Sequence, residues 1–256
     1  MYIPNTQKMN FKILYIFLLL IVLMPVIANA QRWKRTRYEV LGGIGPSNFF
    51  GDLGGANKDG THFMGDIDMK ATRYHLVIGV RYKVQEKMAL KFNLIYGRIY
   101  GSDIFTEAPG RANRNVTFSS GLFEPSLQFE YSILKERLGT RYTFRNIKRF
   151  KFTYVNTYVF LGFGGVLFNP KINHIVKSNK NQPFHRFNMV FPIGLGFKYA
   201  MNRRTTLGFE FGQRYTTTDY LDGHSDTHSK ARDSYAFLTI NVTYKFKTAR
   251  SGLPKF

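Results

Sequence analysis

The sequence predicts an all-β chain, an eight-stranded antiparallel up-and-down transmembrane β-barrel with a filled lumen. Three observations carry that prediction. From about Tyr38 onward, one pattern recurs eight times, a stretch of roughly ten residues with an apolar or aromatic side chain at every second position, which is the length a tilted strand needs to cross a bilayer. The connections between these stretches alternate long and short, as hairpin-linked barrels do. The chain also opens on an export signal and contains no cysteine.

The last copy is the clearest. Ala236, Leu238, Ile240, Val242, Tyr244 and Phe246 alternate with Phe237, Thr239, Asn241, Thr243 and Lys245. Successive strand side chains face opposite sides of a sheet, so one face is oily and the other mostly polar. The earlier copies follow in order. The first runs over 37–45 and is expected to stop at Pro46-Ser47, before a glycine-rich connection over 48–71. The second, 72–83, sets Tyr74, Leu76, Ile78, Val80 and Tyr82 against Arg73, His75 and Arg81, and Gln85-Glu86-Lys87 turns into the third, 88–100. A Gly/Pro/Asp/Asn-rich loop over 101–115 precedes the fourth, 116–133, where Pro125 is expected to force a bulge. The connection over 134–151 is long and basic. The fifth strand spans 152–168, a polar loop 169–186, and the sixth strand 187–200; a tight turn at 201–204 leads to the seventh, 205–216, and a last loop at 217–232 to the eighth.

Eight strands enclose a lumen that side chains can fill. The inward phase supplies Glu39, Glu124, Glu130 and Glu210 against Arg73, Arg81, Lys91, Arg214 and Lys245, with glycines between them. Paired charges are tolerable where lone ones are not, so the expectation is a structural plug rather than an ion path.

At the N-terminus, Lys8 and Lys12 precede an apolar run over 13–27 and the small-residue site Ala28-Asn29-Ala30. The run is shorter than the roughly 20 residues of a spanning helix. It therefore reads as a cleaved signal peptide, 1–30, ahead of an outer-membrane barrel domain, 31–256. Export turns the formal net charge of +21 away from nucleic acid and toward lipid head groups, lipopolysaccharide phosphates or an acidic protein. No cofactor and no metal site are expected, and lack of cysteine excludes thiolate ligands and a lipoprotein anchor.

Two segments exceed what a barrel needs. The connection over 134–151 carries Lys135, Arg137, Arg141, Arg145, Lys148 and Arg149 with a single acid, Glu136, and is a candidate partner-binding surface or lipid-contacting turn. The last loop gathers Asp222, His224, Ser225, Asp226 and His228, a spacing compatible with metal ligands or a general base, though polar loop clusters are more often only solvated. His75 is read as a rim residue.

Several strings taken together carry a resemblance: Gly51-Asp52-Leu53-Gly54-Gly55, Tyr96-Gly97-Arg98-Ile99-Tyr100-Gly101-Ser102-Asp103, Glu124-Pro125-Ser126-Leu127-Gln128-Phe129-Glu130-Tyr131 and Tyr220-Leu221-Asp222. In this order they resemble a family of small outer-membrane barrels of Bacteroidota that includes PorG of the type IX secretion system. Tyr244-Lys245-Phe246 also resembles the aromatic-ended signal read by the barrel assembly machinery. The resemblance implies a non-enzymatic anchor of protein transport contacting periplasmic ring proteins resembling PorK and PorN; the alternation of long and short connections is what sets both mature termini in the periplasm. Two other functions stay open, an outer-leaflet lipid-modifying enzyme using the loop around His224 and a surface adhesin.

Overall fold

A computed structural model describes residues 32–51, 70–103, 116–134, 155–173, 185–202, 204–223, 232–249 and 251–255. The expected signal peptide, the basic connection and the stretch from His224 to His228 lie outside them.

Eight strands close on themselves: β1 (Tyr38–Phe50), β2 (Arg73–Lys83), β3 (Met88–Ser102), β4 (Thr117–Ser132), β5 (Val155–Asn173), β6 (Phe187–Ala200), β7 (Thr205–Thr216) and β8 (Ser234–Lys245). Each pairs antiparallel with its sequence neighbours, and β1 also pairs with β8. Closure leaves no edge, so every strand finds hydrogen-bond partners on both sides. The turns after β2 and β6 are short, closed by Val84 N to Met88 O at 3.0 Å and Asn202 N to Thr205 O at 3.1 Å. The described segments that precede β1 and follow β8 lie at the end of the barrel that carries these turns. There a 3-10 turn, Arg32–Thr36, leads into β1, and a small hairpin, β9 (Lys247–Thr248) with β10 (Pro254–Lys255), follows β8. The backbone N–H of Arg37 donates to Thr248 Oγ1 at 3.1 Å, tying the two ends together.

The expected alternation is the alternation of the wall. Outward side chains such as Ile78 and Leu161 are 63% and 60% exposed, while Arg81 and Tyr158, on the inward phase, are 0% exposed. Soluble monomers rarely expose apolar patches beyond a few hundred Å². A continuous outer band of Ile, Leu, Val, Phe and Tyr around all eight strands is the surface that hydrocarbon solvates.

Strands β6 and β7 begin and end where the alternation predicts. The prolines behave otherwise. Pro46 does not stop β1; it keeps its partner Tyr74 on β2, while the β1–β8 ladder lapses between Ile44↔Ile240 and Ser47↔Phe237. Pro125 likewise keeps Leu94 on β3, and the β4–β5 ladder lapses between Phe123↔Leu167 and Ser126↔Gly164. Pro192 keeps Arg214 on β7 and interrupts the β5–β6 ladder between Leu161↔Ile193 and Gly164↔Val190. Equal numbers of residues flank each gap on both strands, so no residue is inserted and the expected bulge at Pro125 is absent. Each proline instead spends its missing N–H on one side of the strand.

Candidate functional site: the lumen and its two rims

The lumen has two zones. Near the short turns one polar network takes a residue from every strand: Glu39, Arg81, Lys91, Glu130, Tyr158, Lys198, Glu210 and Asn241 on β1 to β8 in order. Arg81 is its hub. Its Nη1 donates to Glu39 Oε2 at 2.9 Å, and its Nε and Nη2 lie 2.9 and 3.0 Å from the two oxygens of Glu130. Glu130 also accepts from Lys198 Nζ at 2.8 Å and lies 3.2 Å from Lys91 Nζ. Glu210 accepts from Lys91 Nζ at 2.7 Å, from the Tyr158 hydroxyl at 2.5 Å and from Asn241 Nδ2 at 3.2 Å. Lys83 reaches Glu39 Oε1 at 2.7 Å. Charge-assisted bonds of this kind are about twice as strong as neutral ones, which is what allows full ions in a dry interior.

Above it lies a smaller set. The Tyr235 hydroxyl donates to Glu124 Oε2 at 2.7 Å, and Arg214 sits 3.7 Å from the same oxygen with its guanidinium 4.4 Å over the Phe237 ring. On that ring stacks His75, centroids 4.2 Å apart, with Nε2 2.9 Å from Thr239 Oγ1. His75 is thus fully buried in the lumen and not at the rim. The end nearest the long connections is apolar: Ile95, Ile99, Phe118, Leu122, Val166, Phe168 and Val190 pack with Leu221, which the first part of the loop after β7 turns inward. Asp233 Oδ2 accepts from Leu221 N at 2.9 Å and holds that turn. Among the described residues a charged network fills one end of the lumen, and hydrocarbon packed beside buried Asp103, Asp222 and Asp233 fills the other.

Several expected residues fall into place and several do not. Glu39, Glu124, Glu130, Glu210, Arg81, Lys91, Arg214 and Lys245 face inward and are buried. Arg73 does not join them. It sits half-buried at the start of β2, where Nη1 donates to the carbonyls of Lys70 and Thr72 at 3.2 and 2.9 Å and the guanidinium stacks 4.0 Å over Tyr100. Lys198, Tyr158 and Asn241 share the inward phase with those charges, and that phase is the sequence signal that marks them. Lys135, Arg137, Arg141, Arg145, Lys148 and Arg149 lie outside the described residues; β4 and β5, which the basic segment joins, meet at the end of the barrel that holds the short turns, with Ser132 opposite Tyr158. Of the last-loop cluster only Asp222 is described, and it is buried.

Glycines give the network its room at defined points. A Cβ on Gly196 would overlap the Tyr158 ring, whereas one on outward Gly42 would meet nothing. Gly196→Val is therefore expected to cost about 1–3 kcal/mol through overpacking, and Gly42→Val close to nothing. Urea titration of the barrel in lipid vesicles reads both; equal midpoints would refute the close-packed lumen.

The sequence matches, over residues 12–249, the family model described as "Domain of unknown function (DUF6089)". No curated protein matches. Solved structures with a similar fold include neisserial surface protein A, at 14% identity and TM-score 0.42 over 82% of this chain and 97% of that one. The N-terminal β-barrel domain of Pseudomonas aeruginosa OprF gives 14% and 0.38 over 83% and 99%, and P. aeruginosa OprG 12% and 0.38 over 83% and 97%. The fold is a closed eight-stranded antiparallel β-barrel with an apolar outer band.

Proposed function

The chain belongs to the DUF6089 family, and we propose that it is a non-enzymatic outer-membrane anchor whose basic connection between β4 and β5 holds a periplasmic partner. The observation that carries this is the lumen. Among the described residues, paired ions followed by packed hydrocarbon fill the lumen, and in this reading function falls to the rims. One rim is marked by charge. The connection over 134–151 holds seven basic side chains against Glu136, and it joins strands at the end where Arg37, ahead of β1, meets Thr248, beyond β8. In this reading that end faces the periplasm, as expected of the short-turn side.

The resemblance to the barrels that include PorG gives the partner a chemistry: an acidic surface on a ring resembling PorK and PorN, in type IX secretion. Charge reversal at Arg141, Arg145, Lys148 and Arg149 is expected to abolish co-purification of ring components while the barrel still folds. Unchanged co-purification, or intact secretion after deletion of the protein, would overturn the assignment.

A further inference from the structure

Alternation turns every second residue of the eight strands outward, yet among the described residues only two of those positions carry a charge, Arg98 on β3 and Lys171 on β5. They fall on one flank. Arg98 is in register with Gly121 on β4, and Gly121 with Asn169 on β5; in the next row away from the short turns Tyr100 pairs with Ser119, and Ser119 with Lys171. With strands about 4.8 Å apart and residues rising about 3.4 Å, the two cations start roughly 12 Å from each other across two strands. Two long side chains can close on a single anion lying over that span.

The floor between them is open. A Cβ on Gly121 would meet nothing within 4 Å. Directly toward the barrel middle, the row Tyr96, Phe123 and Leu167 is exposed and apolar. In the opposite direction β3 and β4 end on two hydroxyl residues in register, buried Ser102 and half-buried Thr117. Arg73, stacked on Tyr100, brings a third cation to the same height. Hydrocarbon, then cations around a notch, then hydroxyls is the order of groups along a lipid that joins acyl chains, phosphate and sugar.

We propose that this flank, β3 to β5 around Gly121, binds a phosphorylated glycolipid of the outer leaflet, with Arg98 and Lys171 on its phosphate and Tyr96, Phe123 and Leu167 along its acyl chains. Choice of the outer leaflet rests on the orientation argued above. The contact itself does not, because it can be read in detergent micelles where the barrel has no orientation.

Native mass spectrometry of the full-length mature barrel, titrated with diphosphoryl lipid A, its dephosphorylated form and phosphatidylglycerol, tests it. Diphosphoryl lipid A is expected to be held about tenfold more tightly than either comparison lipid. That preference should vanish in the Arg98→Gln, Lys171→Gln double variant and in Gly121→Leu, whose Cβ meets nothing within 4 Å and whose side chain occupies the notch. It should persist in Lys87→Gln, Arg204→Gln at the other rim. Equal retention of all three lipids, an unchanged preference in the double variant, or loss of it in the opposite-rim variant would each overturn the site. Heat-modifiable migration on gels confirms that each variant is folded, and ring co-purification is scored separately, so the site and the anchoring role fail independently.

Discussion

Replacing Glu130 with glutamine is expected to cost about 3–5 kcal/mol, the largest loss available to a single near-isosteric change in this barrel. The carboxylate is 1% exposed and is shared by Arg81, Lys91 and Lys198. Among the described residues the zone near the short turns holds Arg81, Lys83, Lys91, Lys198 and Lys245 with Glu39, Glu130 and Glu210. Cations already outnumber carboxylates there. Removing an anion therefore adds repulsion among the remaining cations, whereas removing Arg81 relieves some of it. Arg81→Met is accordingly expected to cost less than Glu130→Gln, although it deletes more bonds. Adding Lys198→Met to Glu130→Gln should recover part of the loss, giving a coupling energy of about 1 kcal/mol or more in a double-mutant cycle. Urea unfolding in vesicles measures all four; a Glu130→Gln cost below about 1 kcal/mol would mean that water enters the network.

A second large effect is expected on the opposite face of the wall. Leu161→Arg places a guanidinium near the middle of the apolar band, at a cost of about 2–4 kcal/mol in a bilayer. The same substitution on a water-facing strand would be close to neutral or would improve solubility. The sign thus separates a bilayer from water as the outer solvent. Lys171→Leu, at the polar margin, should change stability by no more than about 1 kcal/mol, because depth governs the penalty.

Which face a residue takes was legible residue by residue, and which residue it touches was not. Period-two alternation assigns Glu130 and Lys198 to the lumen equally well, but their 2.8 Å contact depends on how far β4, β5 and β6 slide past one another. His75 shows the same limit. Its phase pointed inward, while its height, level with Phe237 and Thr239, follows from register with strands far along the chain. Pro46 and Pro125 were misread for a local reason: a proline's cost depends on whether its missing N–H faces a neighbour that can do without it, and Pro46, Pro125 and Pro192 each found such a side. The apolar zone at the long-loop end could not be seen in one strand, since Ile99, Leu122, Val166 and Val190 each look like an exception to a polar phase until the strands are brought together.

The eight-residue network also has a consequence in time. Because β1 through β8 each contribute one member, and Glu39 on the first strand stands beside Lys245 on the last, no subset of strands can dry the ions. Any partly built sheet keeps its glutamates and lysines hydrated and its ladder open along two edges. Closure and dehydration must then be one late step, reached only after the longest loop in the chain has been drawn shut. Until that step, the charges that later hold the barrel together act as a solubilising brake on its premature collapse.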